Sequence, residues 1–354
     1  MSPRRKRTPP PGEELTARQQ FLLTLIVRDH VATAQPVGSG RLVSHYRLNI
    51  SPATVRHEMA VLTEKGYLTQ PHTSAGRVPT PKGYRFFVEQ LLERSDLPPE
   101  TQRTIAHQFY QAQQDIDQWM QLAASVLAQQ ARAASLVTAP HPEEARYKHL
   151  ELIGIRGRQV LLVLVLVGGE VRQRLLHLAE PLPQPRLSAA AERLNARYAG
   201  QTLENIRQAP PPADALETDI RRIVLDEMEE TAGHLVEAVY RDGLAHVLAE
   251  PEFTRPETAR RALTMLENRT LLERLLRRVA AQADIGSVQV LVGSEDWEEL
   301  RHCSLVLARY GAPGLATGMV GVLGPTRMAY SSAIPTVRFV ARLLSDMVTE
   351  TLAE

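Results

Sequence analysis

From Thr16 onward, apolar and polar positions alternate with helical spacing: Leu22, Leu25 and Ile26 form one stripe, and Thr16 and Gln19 have the spacing of a capping box. The helix this predicts ends near Thr33. Residues 36–39 break the pattern, Ser39 is placed to cap a short second helix bearing Leu42, Val43 and Tyr46, and Asn49 falls in the turn after it. A third helix is predicted from Ser51, whose hydroxyl can accept from free amides; Pro52 suits the first helical position because no amide is needed there. Gly66 stops it. Two short extended pieces, 67–70 and 77–79, flank a turn-rich tip at 72–76. Thr80 and Pro81 then repeat the cap-and-proline signal before a helix whose inner face carries Tyr84, Phe87, Val88 and Leu91. Helix, helix, helix, hairpin, helix is the order of a winged helix-turn-helix, here over residues 15–95.

After a linker at 97–100, a long helix is predicted over 101–136, because Ile105, Phe109, Ala112, Ile116, Trp119, Ala123 and Val126 step by four and three. Such a seam packs either on the sheet of its own domain or on a second copy. Three strand-like segments follow at 150–156, 160–167 and 171–178, separated by Gly157-Arg158 and Gly168-Gly169, which predicts an antiparallel meander. Pro181, Pro183 and Pro185 interrupt it, and strand pattern does not return until Val288. Between them the chain reads helical at 188–198, 216–240 and 256–282, with Pro210, Pro211 and Pro212 as a stiff break, so a helical block looks inserted into a sheet domain. Strands at 288–292, 304–308 and 319–323 and a helix over 335–351 complete the chain.

Composition narrows the class. With 354 residues, 44% hydrophobic and 23% charged, the chain has the make-up of a globular protein of two or three folded units. Its longest apolar run, 160–167, is too short to cross a bilayer, and no apolar stretch follows the basic Arg4, Arg5, Lys6 and Arg7, so no membrane association and a cytoplasmic location are expected. Cys303 is the only cysteine; a disulfide within the chain and a multi-cysteine zinc site are excluded, and the residue reads as a small buried apolar group. Charge is unevenly divided: residues 1–95 carry 14 Lys and Arg against 7 Asp and Glu, and the remainder 27 against 33. A basic N-terminal unit on an acidic body is the electrostatic pattern of nucleic-acid binding. Residues 1–14, basic and proline-rich, form either an arm that tracks phosphates or an inert tail. No phosphate loop, dinucleotide fingerprint, HExxH or nucleophile elbow is present; neither an enzyme nor a cofactor is expected.

The third helix carries the candidate chemistry. If Val55, Met59 and Leu62 face inward, Ala53, His57, Ala60 and Glu64 lie opposite, with Thr54 and Arg56 on the flanks. Small residues let a helix sink into the major groove while a few polar side chains reach base edges. His57 can donate to guanine, Arg56 can pair with guanine or clamp a phosphate, and Ala53 or the Thr54 methyl can touch thymine. In the hairpin His72, Thr73, Ser74 and Arg77, and after it Lys82 and Arg85, have the chemistry of phosphate positioning. Arg77 is a candidate for a minor groove, and Arg85 serves equally well as an ion-pair partner. Ser39, Arg41 and Ser51 complete the candidate DNA-contacting set.

The segments LTARQQ, PVGS and SPATVRHEMAVLTEKGYLTQPHTSAGRVPTPKGYRFFVEQLL, and later CSLVLARYG and GVLGPTRMAY, resemble the HrcA family of bacterial heat-shock repressors over all but the extreme N-terminus. Two departures stand out: His57 lies where the family usually has Asn, and Gly40-Arg41 replaces a basic residue followed by Thr. The resemblance implies an α+β multidomain protein. Its parts would be the winged helix-turn-helix, a discontinuous GAF-like α/β domain with an antiparallel sheet (101–184 and 271–354), and an inserted, mainly helical dimerisation domain (185–270). It further implies a homodimer that represses chaperone operons at an inverted-repeat operator in double-stranded DNA and is kept competent by the GroEL chaperonin. Ile220, Ile223, Leu263, Leu266, Leu272, Leu275 and Leu276 are the expected dimer contacts, since such a block has more apolar positions than a lone appendage can bury. A small-molecule sensor built on the GAF-like domain is the competing class. Residues 324–330 read as a pocket wall, a dimer contact or a strand-to-helix loop.

Overall fold

A computed structural model of the chain describes residues 15–72, 75–92, 96–112, 115–142, 145–167, 170–233, 238–293 and 297–352. The N-terminal unit, the head, consists of α1 (Ala17–Thr33), α2 (Ser39–His45), α3 (Pro52–Glu64), the antiparallel pair β1 (Leu68–Thr69) and β2 (Val78–Pro79), and α4 (Pro81–Leu92). The Thr16–Gln19 capping box is formed, and the Ser51 hydroxyl accepts from the Thr54 amide at the start of α3. Ser39 behaves differently from expectation: Gly38 is the N-cap of α2, and Ser39 is buried in the first turn without capping it. Leu22, Leu23, Ile26 and Val27 from α1, Leu42 from α2, Val55, Met59 and Leu62 from α3, and Phe87 and Val88 from α4 make the head's core.

The helix expected over 101–136 is two helices and a strand: α5 (Pro99–Gln111), α6 (Ile116–Ala131) and β3 (Ala134–Thr138). Asp115 restarts the helix by accepting from the Asp117 amide, and Arg132, in the left-handed region, ends it. β3 is buried at all five positions, so it carries no two-residue alternation by which a strand could be told from the helix preceding it. The apolar seam of α5 and α6 packs within the same chain: Ile105, Phe109, Trp119, Ala123 and Val126 are buried with α13 (Tyr330–Leu352). Pro335, expected to open that last helix, lies inside it.

β3 joins β4 (His141–Pro142), β8 (Val239–Asp242), β9 (Val288–Val292), β10 (Cys303–Ala312) and β11 (Ala316–Pro325) in one antiparallel sheet of order β8-β3-β11-β10-β9, with β4 pairing β11. Helices cover both faces. Val306 and Ala308 of β10 face the core of α6 and α13, while Leu305 and Leu307 face the leucines of α11 (Pro256–Glu267) and α12 (Arg269–Ala280), with α10 (Leu244–Leu248) beside β3 and β11. Cys303 is buried in that second layer, where burial pushes its thiol up to about 12.

The meander is present as β5 (Tyr147–Arg156), β6 (Gln159–Leu166) and β7 (Val171–His177), with Gly157 at positive φ in the first turn; Gly168 and Gly169 lie outside the described residues. It does not share a sheet with the C-terminal strands, as the sequence had suggested. α7 (Gln184–Tyr198), α8 (Leu203–Gln208) and α9 (Ala215–Gly233) close a separate core over one of its faces, built from Leu150, Leu152, Leu162, Leu164, Leu187, Leu194, Val224 and Met228. The physical reason is visible in β6, which is buried at every second position, whereas β11 is buried throughout: the first belongs to a sheet covered on one side, the second to a sheet covered on both. No helix among the described residues is long and apolar enough to cross a membrane.

Candidate nucleic-acid interface

Val55, Met59 and Leu62 turn into the head's core, so α3 presents its other side: Ala53, Arg56, His57 and Glu64 are exposed, and Thr54 and Ala60 half-buried. Arg56 and His57 have no hydrogen-bond or ion-pair partner among the described residues. The frame beneath them is firm. Gln19 Nε2 donates to Glu58 Oε2 at 3.1 Å, Arg18 pairs with the same carboxylate at 3.6 Å, and so α3 is pinned to the start of α1.

The hairpin is tied to the segment before α2 by a two-way bridge, in which Val37 N donates to the Arg77 carbonyl and Arg77 N to the Val37 carbonyl, both at 2.9 Å. Gly76 makes this approach possible, since a Cβ there would lie 2.4 Å from the Val37 carbonyl oxygen. Between α3, the start of α2 and the hairpin lies a cleft of about 360 Å³, walled by Gly38, Arg56, Gln70, Gly76 and Arg77. Arg77 Nε is buried there without a hydrogen-bond partner among the described residues, and none of the described wall residues is acidic. Two guanidinium groups flanking a cleft with no carboxylate can compensate an anion.

Several expected contacts are committed elsewhere. Arg41 Nε and Nη2 donate to the two carboxylate oxygens of Asp29, at 2.7 and 3.3 Å; Asp29 is only 3% exposed, so this pair holds α2 to α1, and the hydrogen bond to Asp29 raises the guanidinium above its ordinary value. Ser39 is buried, and Ser51 is spent on its cap. Lys82 donates to the Lys65 carbonyl at 3.0 Å and lies 4.4 Å over the Tyr67 ring, which folds it back on the head. Arg85 is exposed and makes no ion pair among the described residues, and His72 is exposed beside the hairpin turn. Thr73, Ser74 and the 1–14 arm lie outside the described residues.

The expected dimer contacts fare differently. Leu266, Leu272, Leu275 and Leu276 are 4% exposed or less and pack on this chain's own sheet; Ile220 is buried in the meander core; Leu263 and Ile223 are half-buried. Their count looked excessive because the sheet that covers most of them comes from distant sequence. Bare apolar surface lies instead on the open face of the meander, where Ile153, Ile155, Val167, Val171 and Leu175 are 42–57% exposed, and Leu161 links Ile153 to Leu175 in register.

A group missed in the sequence sits where head meets body. His30 Nδ1 lies 2.6 Å from the Tyr84 hydroxyl, and the Tyr84 ring is 6.1 Å from that of Tyr330. Burial, and then the charge of Arg327, hold the His30 imidazole below its ordinary value. Only the similarity of GVLGPTRMAY to its family marked Arg327 and Tyr330 in the sequence; nothing there named their partners.

Residues 117–334 match the family model described as "HrcA protein C terminal domain". The chain is 45% identical over 346 residues to the "Heat-inducible transcription repressor HrcA" of Roseiflexus castenholzii, covering 95% of each chain. It is 42% identical to the protein of the same description from Thermomicrobium roseum, covering 95% of this chain and 96% of that one. A solved structure described as that of a hypothetical protein covers 96% of this chain and 100% of its own, with a TM-score of 0.61 at 23% identity; that likeness concerns the fold.

Proposed function

The chain belongs to the HrcA family of heat-inducible transcription repressors, and from this we propose that it represses chaperone operons as a homodimer bound to an inverted-repeat operator. In this reading α1–α4 are a winged helix-turn-helix, with α3 in the major groove and the hairpin over the adjoining backbone. The observation that carries it is the outer face of α3: small at Ala53 and Thr54, then polar at His57 and Arg56, exposed and unpaired beside a hairpin whose Arg77 is also free of any carboxylate. Ala53 and Thr54 admit the helix, His57 reads a base edge, and Arg56 and Arg77 take a phosphate between them in their shared cleft.

The open face of the β5–β7 sheet is the seat of the second copy. A two-fold contact sets one face against its own copy, so the exposed Ile153, Ile155, Val171 and Leu175 meet the same patch of the second copy, with His149, Glu151 and Gln173 set among them. The inserted unit then spans residues 145–233, and the α/β/α unit around the larger sheet is the GAF-like domain on which head and inserted unit are mounted. Competence maintained by the GroEL chaperonin follows from the family alone; added chaperonin raises the active fraction and leaves the affinity of each active dimer unchanged.

Selection of bound sequences from a randomised duplex pool tests the reading. Enrichment of an inverted repeat is expected, and enrichment of single sites or of no sequence defeats it.

A further inference from the structure

Residues 324–330 join the end of β11 to the start of α13, and their charged member does not face solvent. Arg327 is 12% exposed on its side chain. It donates to Glu250 and, through Nε at 2.6 Å, to Glu252, two carboxylates at the one-turn helix over Pro251–Phe253. Its remaining Nη1 points at the Val31 carbonyl of α1, at 3.5 Å. Val31 lies in the last turn of α1, where carbonyl groups have no partner inside the helix and the helix end is negative. A second guanidinium of the body repeats the arrangement: Arg338 Nη2, on α13, donates at 2.8 Å to the carbonyl of Leu92, the last residue of α4. Between these two points the Tyr84 ring meets Tyr330, whose hydroxyl is 2.6 Å from both Ser304 Oγ and the Thr326 carbonyl, and the apolar core continues without a break from head to body.

We infer that Arg327 and Arg338 are a clasp: two arginines of the body that hold the C-terminal ends of two head helices and thereby set where α3 stands relative to the body. The chain of rigid connections is short. α3 is pinned to α1 through Glu58, and α1 to the body through Arg327. Glu250 and Glu252 preorganise the Arg327 fork, so its aim does not depend on side-chain entropy alone. The inference rests on the dimeric DNA-binding reading and adds a specific consequence. The clasp leaves base recognition to α3 and determines the separation of the two half-sites, because in a dimer the position of each head on its body fixes the distance between the two α3 helices. Arg327 and Arg338 are positioning residues in this sense.

The test uses the full-length chain and the variants Arg327→Ala, Arg338→Ala, the two combined, and Arg327→Lys, which keeps the charge but loses the fork. Amide hydrogen exchange is read first, without DNA. Protection in the last turns of α1 and α4 is expected to fall in the alanine variants while β10 and β11 keep theirs, with the lysine variant between. Binding is then selected from a library of inverted repeats that differ only in half-site spacing. The preferred base sequence of each half-site stays as in the wild type, and the preference for the best spacing over one shifted by two base pairs falls by about tenfold or more, since a loosened head samples many separations. Unchanged exchange in all variants overturns the clasp, and so does protection lost equally from the sheet, which would mark a residue needed only for folding. A spacing profile that keeps its shape while overall binding drops overturns the spacing role. If the wild type enriches no inverted repeat, the DNA reading fails and the spacing role with it, while the exchange result still decides whether the arginines hold the head.

Discussion

α3 and α12 are amphipathic helices of nearly equal length that end in opposite circumstances. α12 carries the stronger apolar stripe, Leu271, Leu272, Leu275, Leu276 and Val279, and all of it is buried against Leu305, Leu307 and Met319 of the same chain. α3 has the weaker stripe, three buried residues, and keeps Arg56 and His57 on an outer face with no partner among the described residues. Apolar periodicity states which side of a helix is covered, not which molecule covers it. For α12 the covering surface is strands β10 and β11, which follow it in sequence; on the open face of β5–β7, Ile153, Ile155, Val171 and Leu175 stand exposed beside His149, Glu151 and Gln173, with no covering layer among the described residues.

The largest effect should come from charging that open sheet face. With Ile153→Lys and Leu175→Lys combined, sedimentation is expected to show a monomer at micromolar concentration. Operator affinity should fall roughly 10²–10⁴-fold because the two half-sites are no longer bound by one particle. The fold of the variant should persist, both side chains being exposed in the chain itself; a variant that stays dimeric puts the interface elsewhere.

Next in size is the converse experiment on α12. Leu275→Ala is expected to cost about 2–5 kcal/mol in equilibrium denaturation, the price of a cavity in a close-packed layer. The loss should be the same at all protein concentrations. A cost that grows on dilution would mean that α12 meets a second copy after all.

On α3 the effects are smaller and more selective. His57→Asn should shift preference at one base pair per half-site by about 1–3 kcal/mol, from an acceptor-rich guanine edge toward adenine. Arg77→Ala should weaken all sequences alike and lower the salt slope of binding by about 1. An unchanged profile for His57→Asn would move base reading to Arg56 and Thr54.

The smallest effect is one of pH at the junction between head and body. His30 faces Tyr84, Arg327, Glu252 and Asp29, and its folded-state value lies below the ordinary 6.5. The unfolded chain therefore takes up this proton first as pH falls. The stability that the neutral ring contributes is complete above about pH 6.5 and is lost progressively on acidification. Between about pH 7.5 and about pH 5.5 the wild type should lose more thermal stability than His30→Gln. Equal losses would show that the ring titrates freely.

Local signals carried the head almost entirely. Thr16 with Gln19, Ser51 with Pro52, Thr80 with Pro81 and the positive-φ Gly66 act within a few residues, so their readings survive in the structure, and the outward face of α3 follows from them by helical geometry. The strands of the meander and of the C-terminal sheet were legible for the same reason. What local pattern left undetermined was pairing. The helix expected over 101–136 ran into β3, an apolar stretch without alternation, and the one expected over 216–240 ran into the start of β8; the partners of both strands are far away in sequence. Arg41 was read as a DNA contact because Asp29, which occupies it, sits on another helix. The amino-acid sequence by itself determined the elements, their buried sides and the basic head; the tertiary structure alone decided that the leucines of α12 close a core, that the β5–β7 face stays bare, and that Arg327 reaches Val31. Those outcomes depend on contacts between residues scores to hundreds of positions apart, whose free energy appears only when the chain is folded and which no periodicity of a single segment records.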